Sequence, residues 1–289
     1  MKEKGLLRCR ALILFICLAS FPIQAEAASS LIIHFLDVGY GDTIVLRLPE
    51  GQTVLVDGGR PEEGQKVSAT LRDLGIKRLN YVVITHFHKD HAGGLDDVLT
   101  QFLNPASVSK SGRLERIFIP VLPKTVEPEA ETVKAKIQQL PYRIVRRGKT
   151  LPISSSVKLD VFHPETLKGD PNEDSLVLML IHGHVKILLT GDIGLEAQKE
   201  LLQIYGTRLK ADVMKVPHHG GEALEEFIEA VSPREAILSI GPNPYGLPKS
   251  EVLGFYKKKG ARIHRTDQVG DITAISDGRS LEVHKGLNP

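Results

Sequence analysis

Cysteine is nearly missing from this chain of 289 residues: Cys9 and Cys17 are the only two, and both fall within the first 27 positions. Beyond that segment no disulfide framework or thiolate metal site can be built. A long apolar run is missing too, because the stretch ALILFICLASF at 11–21 is shorter than the ~20 residues a membrane-spanning helix needs. Lys2, Lys4, Arg8 and Arg10 precede it and Ala25-Glu26-Ala27 follows, the charged, apolar, small-residue order of a secretory signal peptide. The expectation is cleavage after Ala27, export to the periplasm or the exterior, and no stable membrane insertion afterwards. Leu14-Phe15-Ile16 ahead of Cys17 lacks the small residue that a lipoprotein signal calls for.

Net charge is the third absence. Taking the leader's four basic and two acidic residues from totals of 37 and 35 leaves 33 of each. A protein that tracks along a polyanion usually carries a basic surplus. The local group Arg143, Arg146, Arg147 and Lys149 reads first as a solvated loop.

What remains is an ordinary globular composition, 42% hydrophobic and 25% charged. Strand patterns at 31–39, 42–48, 53–59, 79–85 and 116–122 alternate with helical faces such as Val67, Leu71 and Leu74. In the second half, 175–181 and 184–190 flank a two-residue turn, read as His182-Gly183. The runs ADVMKV, EAILSI, ARIHRT and DITAIS follow as strands, with helices between them. No low-complexity linker divides the chain, so the expectation is one α/β domain over 28–289, paired sheets with helices outside.

Chemistry concentrates at ITHFHKDHAGG, residues 84–94. His86, His88, Asp90 and His91 follow a strand in a loop, with Gly93-Gly94 expected to provide a sharp turn into a helix. Neutral imidazole with carboxylate suits zinc, then manganese or iron. Positions 86 and 88 can face one ion while 90 and 91 face another, and two ions ~3.5–4 Å apart can share a hydroxide as nucleophile. Further donors must come from other strand ends: Asp192 in Thr190-Gly191-Asp192, and His218 or His219 in Pro217-His218-His219-Gly220. The expected hairpin register sets Glu173 opposite Asp192 and so brings Asn172-Glu173-Asp174 beside the site. His182 and His184 read as solvated turn residues, His163 as a core or loop residue, and His34, His264 and His284 as strand positions without a role.

Taken together, His-x-His-x-Asp-His at 86–91, Val56-Asp57-Gly58-Gly59 and Thr190-Gly191-Asp192 resemble the metallo-β-lactamase superfamily, across about residues 31–285. The resemblance implies a four-layer αββα sandwich with a dinuclear site. FLDVGYGDTIVL, NEDSLVLML, LLTGDI, VMKVPHHGG, NPYG and HRTDQVGDI are similar, in that order, to the hydrolase domain of ComEC-type DNA-uptake proteins and to their free-standing secreted relatives, including phosphorylcholine-esterase-like enzymes. Carried over, His86 and His88 would hold one of two divalent ions, zinc first and manganese second; Asp90 and His91 would hold the other, with Asp192 bridging and His219 or His218 completing the set. Asp57 would orient the first loop, with Asp42 and Asn172 near the site, and His218 or Asp90 would be the proton donor. The superfamily's usual third histidine is replaced by Asn172-Glu173-Asp174, its Gly-Gln-Gly-Asp by Gly39-Tyr40-Gly41-Asp42, and a histidine often found after Asn-x-Tyr-Gly by Leu247.

The expected function is a secreted metal-dependent phosphodiesterase or phosphoesterase using a metal-bound hydroxide, on a small phosphoester substrate. Its rivals are a secreted nuclease acting on DNA or RNA, lactonase or β-lactamase chemistry, and a non-catalytic metal-stabilised binding module.

Overall fold

The computed structural model describes residues 30–103 and 114–287. The expected leader, 1–27, lies outside the described residues. Strands β1 (Leu31–Phe35), β2 (Ile44–Arg47) and β3 (Thr53–Val56) form an antiparallel meander. Helix α1 (Gly64–Asp73) then crosses to β4 (Tyr81–Val83), α2 (Lys89–Ala92) and α3 (Leu95–Leu103) lead to β5 (Arg116–Ile119), and α4 (Pro128–Gln138) leads to β6 (Tyr142–Ile144). From β3 to β6 every pairing is parallel.

The second sheet opens with the antiparallel strands β7 (Thr150–Leu151), β8 (Val157–His163), β9 (Val177–His182) and β10 (Val185–Leu189). It continues in parallel through α5 (Leu195–Tyr205), β11 (Val213–Lys215), α6 (Glu225–Val231), β12 (Glu235–Leu238), α7 (Ser250–Lys258) and β13 (Arg262–Arg265). After α8 (Thr266–Val269), strands β14 (Ile272–Ser276) and β15 (Leu281–Lys285) return to the first sheet, which runs β15-β14-β1-β2-β3-β4-β5-β6. The second runs β13-β12-β11-β10-β9-β8-β7.

Three apolar layers make the expected αββα sandwich. Leu46, Val54 and Phe118 of one sheet meet Leu159, Leu180 and Ile187 of the other in the middle. Val82 and Ile117 turn outward onto Leu71, Leu95 and Val133 of α1, α3 and α4, while Leu188 and Met214 turn outward onto Leu201, Phe227 and Tyr256 of α5, α6 and α7. A strand covered on both faces has no solvent side, hence the near-continuous apolar runs in the sequence. Each such Leu, Val or Phe contributes about 1.5–3 kcal/mol by leaving water, so the layers are held by many modest terms. Among the described residues no helix is long and apolar enough to cross a membrane.

Four local expectations are refined. The β9–β10 hairpin pairs His182 with Val185, so the two-residue turn is Gly183-His184, with Gly183 at a positive φ of 57°. That moves the register by two, setting Ser175, not Glu173, opposite Asp192. His182 is buried rather than solvated, its Nδ1 3.1 Å from Ser276 Oγ. His91 sits on the one-turn helix α2, and Gly93 keeps helical backbone instead of making a sharp turn. Glycine is required there by proximity: a Cβ on Gly94 would lie 2.1 Å from the Gly58 carbonyl oxygen. The basic group at 143–149 is half engaged, Arg146 donating to the Pro120 carbonyl and Arg147 pairing with Glu165 and Glu200, while Arg143 and Lys149 are exposed as expected.

Candidate metal centre

Parallel strands point their C-terminal ends the same way, and ligands of open α/β sheets gather in the crevice outside those ends. Here β3 delivers Asp57, β4 delivers Thr85 and His86, β10 delivers Asp192, and β11 delivers His218 and His219. One donor atom each from Asp90, His91, Asp192 and His219 lies within 4.8 Å of the others. His91 Nε2 is 3.1 Å and His219 Nε2 3.3 Å from Asp192 Oδ2. Asp90 Oδ2 is 3.4 Å from His219 Nε2. His86 and His88 form a separate pair, Nε2 to Nδ1 3.1 Å, with the His86 ring centroid 4.2 Å from that of His91.

The donors are aimed by other residues. His91 donates through Nδ1 to Asp57 Oδ2 at 2.8 Å, and Asp57 also accepts from Thr85 N and Oγ1. His219 donates through Nδ1 to the Ser239 carbonyl at 2.8 Å. Each ring therefore turns Nε2 into the cluster, and both Nε2 atoms are buried without a hydrogen-bond partner, as is Asp42 Oδ1. Orphaned buried imidazole nitrogens facing ionised carboxylates are what a divalent cation satisfies, so the residues present fit the ions that the motif implies.

Electrostatics say the same. Burial opposes charge on His91, yet Asp192 and Asp57 outweigh it and hold its pKa well above the ordinary value. His219 is raised to about 9 against burial, chiefly by Asp192. Asp192 is held well below the carboxylate range, burial being overcome by His219, His91 and Lys215. His86 goes the other way, pushed well below its ordinary value by burial and then by the neighbouring imidazole of His91.

Lys215 is the residue that the sequence reading missed. It is fully buried on β11, with Nζ 2.5 Å from Asp42 Oδ2, 3.1 Å from Asp192 Oδ1 and 3.0 Å from the Gly191 carbonyl. Those carboxylates raise its pKa to about 12 despite burial. One face of Asp192 is thus occupied by a built-in cation, leaving Oδ2 to the imidazoles. The available signal was a lone charge in a strand otherwise apolar on both faces.

His218 stands apart from the four-donor group. It lines a cavity of about 470 Å³ with Asp90, Asp192 and Asn172, its Nε2 3.4 Å from Asn172 Nδ2. His218 and His219 both have positive φ, 47° and 51°. Asn172 thus reaches the site, whereas Glu173 turns away and accepts from the backbone N–H of Glu196 and Ala197 at the start of α5. Asp174 is engaged by the backbone N–H groups of Lys168 and Gly169. His163 is buried against the Ser175 carbonyl. Asp42 is held against the loop by its N–H to the Asp90 carbonyl, an approach that only glycine permits at 41, where a Cβ would lie 2.4 Å from Asp90 O.

Comparison with known proteins agrees with this architecture. The sequence model described as "Metallo-beta-lactamase superfamily" matches residues 36–241. ComE operon protein 3 of Bacillus subtilis (strain 168) is 33% identical over 267 residues, 83% of this chain and 32% of that protein. The chain therefore spans about a third of that relative's length. Ribonuclease Z of Clostridium beijerinckii is 34% identical over 94 residues, 32% of this chain and 27% of the enzyme. Among solved structures, the metallo-beta-lactamase fold protein YhfI from Bacillus subtilis superposes with a TM-score of 0.55 at 11% identity, covering 83% of this chain and 98% of that one.

Proposed function

Because the chain belongs to the metallo-β-lactamase superfamily, we propose that this metal-dependent hydrolase cleaves phosphoester bonds, phosphodiesters first. The observation that carries the reading is the convergence of Asp90, His91, Asp192 and His219, with His86 and His88 beside them, on a cavity that Arg60, Lys89 and Lys249 also line. Glu127 and Glu222 line it as well, and Arg60 and Lys89 pair with Glu62 and with Glu127 and Glu129, so Lys249 and the ions themselves would be the main attraction for an anionic phosphoryl group.

In this reading His86 and His88 would hold one ion and Asp90, His91 and His219 the other, with Asp192 serving both. Divalent ions bound there supply an activated water and neutralise charge on the phosphoryl oxygens. The chain's own residues do the rest. Asp57 and the Ser239 carbonyl fix the orientation of His91 and His219, Lys215 holds Asp192 in place, and Lys249 offers a positive charge on the cavity wall. Asp90 would be committed to an ion, which leaves His218 of the two candidate proton donors; it lines the cavity, and burial holds its pKa below the ordinary value, so the approach of an anionic substrate would have to favour its charged form. The charged, apolar and small-residue order of 1–27 supports export.

A chromogenic bis(4-nitrophenyl) phosphate assay on metal-loaded and chelated protein tests the proposal. Turnover should appear on loading and vanish on chelation; metal retained without turnover on any ester would instead make the chain a binding module. A nuclease is the second reading, favoured by the stretch similar to ribonuclease Z. It requires affinity that falls steeply with salt, whereas a small diester should respond little.

A further inference from the structure

A second cavity, of about 630 Å³, opens directly against His86 and His88. Its walls are apolar: Phe87 from between the two histidines, Pro120, Val121 and Val126 from the segment after β5, and Leu167 and Pro171 from the loop ahead of β9. The carboxylates at its edge are already engaged, Glu127 accepting from Lys89 N at 2.7 Å and Asp174 from Lys168 N at 2.7 Å and Gly169 N at 2.9 Å. Lys124 and Thr125 are exposed at the mouth. Leu167, 38% exposed, is one of the few large apolar side chains left in water among the described residues.

His88 and Glu127 also line the 470 Å³ cavity, so the two spaces meet at His88, beside the donor cluster. A diester whose phosphorus sits at that junction has one substituent directed toward the cationic, tyrosine-lined side, formed by Tyr40, Tyr245 and Lys249, and the other toward the apolar side. We propose that the 630 Å³ cavity is a substrate subsite for a hydrocarbon ester substituent, an alkyl or acyl-chain group carried on the phosphoryl centre. A nucleobase is disfavoured as its occupant, because recognition of a base edge needs free hydrogen-bonding partners, and apart from the two histidines the side chains away from the mouth are apolar or already engaged. That an ester is cleaved here rests on the proposed function; that an apolar chain is bound does not.

Calorimetric titration of the metal-loaded protein with methyl-, butyl- and hexylphosphonate tests the subsite by binding alone. Affinity should rise about fourfold per methylene until the cavity is filled. The double variant Leu167→Asn/Val121→Asn, altering two side chains outside the donor cluster without adding charge, should bring the hexyl-to-methyl ratio to within about threefold of unity, read as a ratio so that any common change in phosphonate affinity cancels. A flat series in the unaltered protein, or an unchanged ratio in the double variant, overturns the assignment. So would tighter binding of a nucleoside methylphosphonate than of the hexyl compound. Turnover of 4-nitrophenyl alkyl phosphodiesters separates the two ideas. Chain-dependent binding with no turnover leaves the subsite standing and removes the reaction, and turnover indifferent to chain length does the reverse.

Discussion

The two groups of donors at the centre are built to different standards. Asp90, His91, Asp192 and His219 are mutually within reach, with both histidine rings held by a second hydrogen bond. His86 and His88 face each other at 3.1 Å with the His91 ring beside His86, outside the four-donor group, and the neutral Asn172, whose buried Oδ1 has no partner, lines the same cavity as His88. Carboxylates make the difference. Where they surround imidazole, charge is favoured even in the interior; where imidazole faces imidazole, burial wins and the ring is held neutral. The comparison predicts one firmly held ion and one more readily lost.

The harshest way to break that contrast is Asp192→Ala, which removes the carboxylate between the groups. Turnover should fall by about 10³-fold or more, the order seen when a principal electrostatic stabiliser is lost, and metal analysis should show both ions depleted. Retention of two ions would refute the shared position of Asp192. Lys215→Met should act next most strongly. Leaving Asp42 and Asp192 buried without their cation costs about 3–5 kcal/mol in metal-free protein. Because a competing positive charge is gone, added metal should restore more melting temperature to the variant than to the unaltered chain. An equal metal-induced gain in both would show that Lys215 does not compete.

His88→Ala sharpens the comparison by damaging the weaker group alone: stoichiometry by elemental analysis should drop from two ions toward one, with turnover lost. Loss of both would mean that the groups bind as a unit. The smallest effect belongs to a control histidine outside the donor cluster, His34 on β1. Burial, then the charge of Arg47, lowers the pKa of His34 to about 4. Its contribution to stability is therefore complete above the unfolded value near 6.5 and is lost as pH falls through that value toward 4. Denaturant titrations of metal-free protein should show this slope diminished in His34→Gln, and an unchanged slope would assign it elsewhere.

Much of this was legible beforehand because each donor follows an apolar strand and precedes a turn, so order along the chain already implied a shared edge. The layers were legible for the same reason: runs apolar on both faces need helices outside. What failed was finer. Placing the turn at His182-Gly183 rather than Gly183-His184 is one residue of error in the loop and two in the ladder, enough to exchange Ser175 for Glu173 opposite Asp192. The role of Glu173 at α5 depends on a tertiary approach that sequence spacing does not encode. Lys215 escaped because pattern reading assigns a lysine to water; its partners, Asp42 and Asp192, lie 173 and 23 positions away.

One further consequence follows from the backbone at 218 and 219, where two consecutive non-glycine residues occupy left-handed conformation. For residues with a Cβ that conformation costs roughly 1–2 kcal/mol each, and asparagine tolerates it better than alanine. An alanine scan across this dipeptide would therefore mix conformational relaxation with lost chemistry, and a dead variant would not say which had failed. Asparagine replacements, His218→Asn and His219→Asn, keep the bend and remove only the ring.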